Sequence, residues 1–264
     1  MKITIFTSNQ PRHLALVNKL SSVAEKIYAI IECNTVFPGK VQDFFKKSDI
    51  MKCYFENVMN AENSLYGDIS FSKNNVSTLS IKSGDLNLLN KEPLQEALSS
   101  DLYVVFGASY IKGWLIDHLV AHKAINIHMG LSPYYRGSSC NFWALYDHKP
   151  EYVGSTIHLL SKGLDSGPML YHAVPKLNNS SPFEFTMKSV EAAQQSLVER
   201  ISTKEIFNYI PQQQDKTQEI RYTRNSDFTD LVAEEFLSRN LKNSDIANLI
   251  NEAIKPTLLL PFYY

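Results

Sequence analysis

Three segments at the start of this chain confine it to a narrow set of folds. Ile3–Phe6 reads as a short buried strand, Leu14, Val17, Leu20 and Val23 recur at helical spacing behind Pro11, and Lys26–Ile31 reads as a second strand. Pro11 suits the first turn of a helix, which has no use for its missing N–H. Strand, helix and strand within about thirty residues predict a βαβ unit, whose crossover enforces parallel pairing.

The rest of the sequence extends that unit. Helical spacing runs from Val41 to about Tyr66, a strand is predicted at Val76–Ile81, and Leu86–Ser100 reads as helix. Leu102–Phe106 is a continuous apolar run of the kind buried in the middle of a parallel sheet. A short helix at Trp114–Leu119 leads to a further core strand at Ala124–His128. After Gly137 the pattern predicts a helix at Asn141–Tyr146, paired strands at Val153–Leu160 and Met169–Val174, and a long helix at Pro182–Phe207. Gln212–Lys216 reads as a solvated linker, followed by helices at Phe228–Arg239 and Asn243–Ile254 and an aromatic tail, Phe262-Tyr263-Tyr264. The expectation is a Rossmann-like α/β fold: an open, mostly parallel sheet over residues 1–210, with 211–264 as linker and small, mainly helical extension. Ligands of such a sheet bind outside the carboxyl ends of its strands.

Composition removes several classes. A net charge of −1 in 264 residues, without a Lys/Arg block, argues against gripping a long phosphate backbone. Cys33, Cys53 and Cys140 have no paired spacing, which suggests reduced thiols and a cytoplasmic location. The start, Met1-Lys2-Ile3-Thr4, turns polar too soon for a secretory signal, and no apolar run is long enough for a membrane helix. No His pair has a metal-ligand spacing such as HExxH, so no metal is expected; His118, His122 and His158 read as structural.

The chemistry-bearing residues lie on the strand Ala124–His128 and two later loops. Asn126 and His128 are two apart, so a strand turns both to one face. Asp165 stands in the turn-forming run Gly163-Leu164-Asp165-Ser166-Gly167. An amide N–H can stabilise charge on a reacting carbonyl oxygen, and an imidazole oriented by a carboxylate can exchange protons. Cys140, followed by apolar and aromatic residues, reads as packed rather than nucleophilic.

Asn126-Ile127-His128, the loop Ser132-Pro133-Tyr134-Tyr135-Arg136-Gly137 and the loop Gly163-Leu164-Asp165-Ser166-Gly167-Pro168, in that order, resemble the core of the folate-dependent formyltransferases. The resemblance is good over about residues 75–175. It implies transfer of a formyl group from N10-formyltetrahydrofolate to an amine, with Asn126, His128 and Asp165 catalytic. It also implies a folate site on Phe106–Ile111 and Leu160–Asp165, with Phe106, Ser109, Tyr110, Ile111, Lys162 and Asp165 as candidates. Acceptor binding is expected at Ser8, Asn9, Arg12, Tyr135, Arg136 and Trp143. Arg136 suits a phosphate or, equally, a local carboxylate.

Departures from the pattern narrow the acceptor. Thr7–His13 lacks the glycine-rich phosphate loop of glycinamide-ribonucleotide enzymes, and the extension reads as helical, unlike the β-barrel of enzymes that formylate initiator tRNA. Ser138–Leu145 resembles the sugar-nucleotide branch, whose products enter surface polysaccharides such as O-antigen and lipopolysaccharide. Within it the resemblance is nearest to enzymes of GDP-linked 4-amino-4,6-dideoxy sugars such as perosamine. The implied partners are folate and a sugar nucleotide, without nucleic acid or membrane, and the aromatic tail suggests a homodimer. A methionyl-tRNA formyltransferase and a non-catalytic folate- or nucleotide-binding protein remain alternatives.

Overall fold

A computed structural model describes residues 1–33, 48–67, 70–177 and 179–264. The opening segments form β1 (Lys2–Ser8), α1 (Pro11–Leu20) and β2 (Lys26–Cys33), and β1 and β2 pair in parallel. Helix α1 ends at Leu20, short of Val23, because the chain turns at Ser21 to enter β2. Next come α2 (Asp49–Tyr66), capped by the Ser48 hydroxyl, and β3 (Val76–Lys82). The expected helical stretch 41–47 lies outside the described residues.

Leu86–Ser100 is not one helix. It forms three 3-10 turns, Asp85–Leu88, Glu92–Leu94 and Ala97–Ser99, which bury Leu86, Leu94 and Ala97. Pro93 lacks the N–H that a continuous helix would need there. The chain continues through β4 (Leu102–Phe106), α3 (Gly113–Ala121) and β5 (Ile125–His128). After β6 (Tyr135–Gly137) and α4 (Cys140–Tyr146), β7 (Ser155–Leu159) and β8 (Met169–Val174) form an antiparallel pair. Helix α5 (Pro182–Ser202) starts at a capping box between Ser181 and Glu184 and stops before a 3-10 turn at Glu205–Asn208.

Among the described residues the main sheet has eight strands. β10 (Phe262–Tyr263) supplies the last, and the order is β10-β8-β7-β5-β4-β1-β2-β3. The pairs from β3 across to β5 are parallel; β7 is antiparallel to both β5 and β8. The chain runs outward from β1 through β2 to β3, then returns to place β4 on the other side of β1. Loops after β1 and β4 therefore diverge and leave a crevice at the carboxyl edge. One sheet face packs under α1 and α5 through Leu16, Leu20, Val190 and Leu197, the other under α3 and the 3-10 turns through Leu115, Leu119 and Leu94.

The segment after 211 is knitted into this body. Gln212 exchanges both backbone hydrogen bonds with Met169, which replaces the expected solvated linker by a paired one. β9 (Arg221–Thr223) pairs with β6, and Ala233 and Phe236 of α6 (Asp230–Ser238) with Ile246 of α7 (Asn243–Glu252) bury against Phe142, Trp143 and Tyr54. The aromatic tail is the edge strand β10 of its own sheet.

Candidate active site

At the carboxyl edge of β5 the three expected catalytic side chains meet. Asn126 Nδ2 donates to Asp165 Oδ1 at 3.2 Å, and His128 Nδ1 lies 3.4 Å from Asp165 Oδ2. Asp165 reaches inward from a residue with φ +45°, a left-handed conformation that Asp tolerates better than most. Gln214 holds that turn from outside, its Nε2 donating to the carbonyls of Asp165 (2.9 Å) and Gly167 (2.8 Å).

The structure adds a fourth member that nothing in the local sequence marks as functional. His158 on β7 faces Asn126 in the antiparallel register, and its Nε2 lies 2.9 Å from Asn126 Nδ2. Its Nδ1 is 2.8 Å from the Leu159 carbonyl, an acceptor, so Nδ1 carries the proton and Nε2 accepts from the amide. Burial pushes the His158 pKa down to about 4, against an opposing pull from Asp165, and keeps the ring neutral. The carboxamide is thereby oriented with its N–H groups toward His158 and Asp165.

His128 has a second contact surface. Its Nε2 lies 3.4 Å from the Tyr135 carbonyl and 3.5 Å from Cys140 Sγ. Cys140 is buried, and burial pushes its thiol pKa up, so it stays protonated. Gly130 makes this approach possible, because a Cβ there would lie 2.5 Å from the Cys140 Cβ and 2.8 Å from His128 Nε2.

Beside His128 opens a cavity of about 300 Å³ walled by Arg12, Tyr54, Phe55, Phe142 and Phe228. Arg12 is half engaged, since Glu62 Oε1 accepts from both its backbone N–H (2.9 Å) and its Nη1 (3.0 Å). A larger cavity, of about 580 Å³, lies under the extension and touches none of the three expected catalytic residues.

Several expected acceptor residues are placed elsewhere. Trp143 is 3% exposed in the core, with the Arg221 guanidinium over its ring at 4.6 Å, while its neighbour Phe142 faces the cavity. Tyr135 is buried, its hydroxyl donating to Asp147; only its carbonyl reaches the site. Arg136 is bound to Glu219 at 2.7 Å, the local-carboxylate alternative. Ser8 is buried at the end of β1, with its hydroxyl 3.5 Å from Asn9 Oδ1.

The expected folate loops lie side by side. Tyr110 Oη donates to the Lys162 carbonyl at 2.6 Å, joining 107–111 to 160–165. Ser109 is fixed by Glu32, a buried carboxylate that accepts from its N–H (2.6 Å) and hydroxyl (2.8 Å). Phe106 and Ile111 are buried, and the Phe106 carbonyl is taken by the Thr7 hydroxyl. Lys162 Nζ points outward to Asp117 at 2.6 Å. Main chain and the exposed Tyr110 are therefore what these loops present at the surface. Among the described residues no group of three or more His, Cys, Asp or Glu could hold a metal, and no helix is long and apolar enough to cross a membrane.

Comparison with known proteins agrees with the fold. A methionyl-tRNA formyltransferase of Clostridium tetani is 30% identical over 168 residues, 63% of this chain and 52% of that protein. Another, from Thermosynechococcus vestitus, is 42% identical over 74 residues, 28% of this chain and 22% of that protein. The chain spans about half or less of the length of these curated relatives. Among solved structures, a sugar N-formyltransferase from Shewanella sp. FDAARGOS_354 superposes with a TM-score of 0.51 at 18% identity, covering 86% of this chain and 78% of that one. An N-formyltransferase from Helicobacter canadensis in complex with folinic acid and dTDP-3-aminofucose gives 0.52 at 13% identity, covering 86% and 72%. Residues 87–201 match the formyl transferase family, and this span contains Asn126, His128 and Asp165. Over that segment the chain is similar to the formyl transferase family.

Proposed function

We propose that the chain transfers a formyl group from N10-formyltetrahydrofolate to the amine of a nucleotide-linked amino sugar. The observation that carries this reading is the convergence of Asn126, His128 and Asp165 beside a cavity of about 300 Å³. The folate, when bound, supplies the formyl carbon, and loops 107–111 and 160–165 are its candidate site. As the amine attacks, Asn126 Nδ2–H turns from Asp165 to the formyl oxygen and stabilises the charge growing there. His128, held by Asp165 at Nδ1, stands beside the cavity to exchange the proton the amine must lose. His158 keeps the Asn126 amide from flipping throughout.

The cavity suits a sugar. Aromatic and aliphatic walls, among them Phe55, Phe142 and Val190, favour an apolar ring face or a deoxy carbon, with the open edge of Arg12 as its polar contact. The bound dTDP-3-aminofucose of the Helicobacter neighbour supports a sugar-nucleotide acceptor. GDP-linked 4-amino-4,6-dideoxy sugars such as perosamine, and a role in O-antigen synthesis, are the finer form of the proposal, supported by Ser138–Leu145. A cytoplasmic location and a homodimer belong to the same finer proposal, and the catalytic unit it assumes takes in the segment after 211 as well, since Gln214 holds the Asp165 turn and β10 completes the sheet.

Formylation of initiator tRNA is the second reading, favoured by the curated relatives. An assay with N10-formyltetrahydrofolate and a panel of GDP-, UDP- and dTDP-linked amino sugars, run beside charged initiator tRNA, separates the two. Turnover of tRNA with no turnover of any amino sugar would reject the proposal.

A further inference from the structure

The turn that carries Asp165 has little of its own to hold it. Gly163 and Gly167 flank it, Leu164 is exposed, and Asp165 has φ +45°, a strained conformation for a residue with a Cβ. Two side chains tie this turn from outside. Tyr110 Oη donates to the Lys162 carbonyl at 2.6 Å, and Gln214 Nε2 donates to the carbonyls of Asp165 at 2.9 Å and Gly167 at 2.8 Å. Gln214 thus places both hydrogens of one amide nitrogen on the turn. Its Oε1 is buried and has no hydrogen-bond partner among the described residues. An orphaned buried acceptor lowers stability, so what this side chain contributes is its nitrogen. The reverse orientation is closed to it, because an amide oxygen cannot bond to two carbonyls. Gln212, two residues earlier, is fixed to Met169 by backbone hydrogen bonds of 2.7 and 2.8 Å, so Gln214 reaches the turn from a paired segment.

We infer that Gln214 is a positioning residue for the proposed reaction: its amide nitrogen fixes the main chain of Asp165 so that the carboxylate meets Asn126 and His128 together. The inference rests on Asp165 being catalytic, as proposed above. Asp165 Oδ1 lies 3.2 Å from Asn126 Nδ2 and 3.9 Å from His158 Nε2, and Oδ2 lies 3.4 Å from His128 Nδ1. A rotation of the Asp165 backbone would break these contacts at once. The flanking glycines offer such a rotation little resistance. The contacts of the Ser161 hydroxyl with Gly163 and Ser166 lie inside the turn and would move with it. Gln214, 49 residues away in sequence, resists the rotation from outside. Its two hydrogen bonds go to main chain, so its effect on the site passes through Asp165.

The test compares two variants of opposite hydrogen-bonding character. Gln214→Glu keeps size and shape but sets an acceptor against both carbonyls, whereas the ammonium of Gln214→Lys restores donors. In single-turnover assays with the amino sugar that the panel identifies, Gln214→Glu should slow transfer about 10- to 100-fold, and Gln214→Lys should recover part of that loss. In an Asp165→Ala background the same Gln214→Glu change should cost less than about threefold, because no carboxylate is left to position. The Asn126 side-chain amide gives a readout that needs no transfer: its 1H–15N resonances should move in Gln214→Glu and return toward wild type in Gln214→Lys. Gln214→Met, which deletes the donors, serves the same comparisons if the Glu variant does not fold. A rate within about twofold of wild type in a folded variant without donors, or an equal loss with and without the Asp165 carboxylate, overturns the inference. A chain that formylates no amino sugar, yet shows the Asn126 shifts, keeps the positioning role and rejects the amino-sugar reading alone.

Discussion

His158 and Asn126 sit opposite each other on antiparallel strands, and the neutral imidazole accepts the amide N–H at 2.9 Å. A carboxamide can be rotated by half a turn at little cost unless something distinguishes its oxygen from its nitrogen. Here the bare Nε2 lone pair makes that distinction. Gly167 permits it, since a Cβ there would lie 1.7 Å from the Leu159 carbonyl and 3.1 Å from His158 Nδ1.

Replacing His158 by Phe should therefore lower kcat about 10- to 100-fold through loss of amide orientation, with KM for the formyl donor little changed. His158→Gln, which retains an acceptor, should recover part of the loss. Steady-state kinetics on both variants decides; wild-type kcat in the Phe variant would remove His158 from the site.

Removing the amide itself should cost more. Asn126→Ala is expected to reduce kcat about 10²- to 10³-fold, the usual effect of deleting one donor to a developing oxyanion. Asp165→Asn should also lower turnover, because an amide replaces the carboxylate that lies against both Asn126 Nδ2 and His128 Nδ1 and no longer orients the two side chains. Single-turnover rates at saturating donor check both, and an undiminished rate in either variant excludes that residue from the chemistry.

Acid should weaken the fold through His172. Its Nε2–H donates to the Ser132 carbonyl at 2.8 Å and its Nδ1 accepts from the Leu259 N–H at 2.9 Å, so the folded protein needs the neutral ring. Burial pushes its pKa down to about 4. The unfolded chain takes up this proton near the ordinary value, so stability is complete above about pH 6.5 and is lost as pH falls toward 4. This group alone should remove about 2 kcal/mol between pH 7 and pH 5, read by urea unfolding. His172→Gln should flatten that part of the pH dependence.

Gly137→Ala should detach the extension. The residue has φ +88°, and a Cβ would lie 1.9 Å from the Thr223 carbonyl in the β6–β9 pair. A shift of backbone is the only relief, so the loss should exceed about 1–3 kcal/mol. Faster hydrogen exchange at the Ser138 amide, which donates to Thr223 at 2.9 Å, would locate it; unchanged exchange there would contradict the assignment.

The thiols should separate into two classes. Cys33 and Cys53 are exposed and should react promptly with an alkylating reagent, whereas Cys140 should react only on unfolding. Mass spectrometry of alkylated native protein gives the count.

Local pattern carried the sequence reading as far as elements and their facing. Apolar runs at β1, β2, β4 and β5 define strands wherever they are placed, because burial on both faces requires them. The period of two turns Asn126 and His128 to one side without reference to the rest of the chain. Spacing alone predicts a helix over Leu86–Ser100, but Pro93 breaks it into short turns.

Tertiary structure alone decided which distant groups became partners. Asn126 with His158, Arg12 with Glu62, Arg136 with Glu219, and Gln214 with the Asp165 turn are separated by 32, 50, 83 and 49 residues. No local propensity encodes such pairs, because each depends on strand register or on how one element packs over another. Trp143 and Phe142 show the same division: both were visible as aromatic residues on a helix, but only packing against Arg221 and Phe228 determined which entered the core and which lined the cavity.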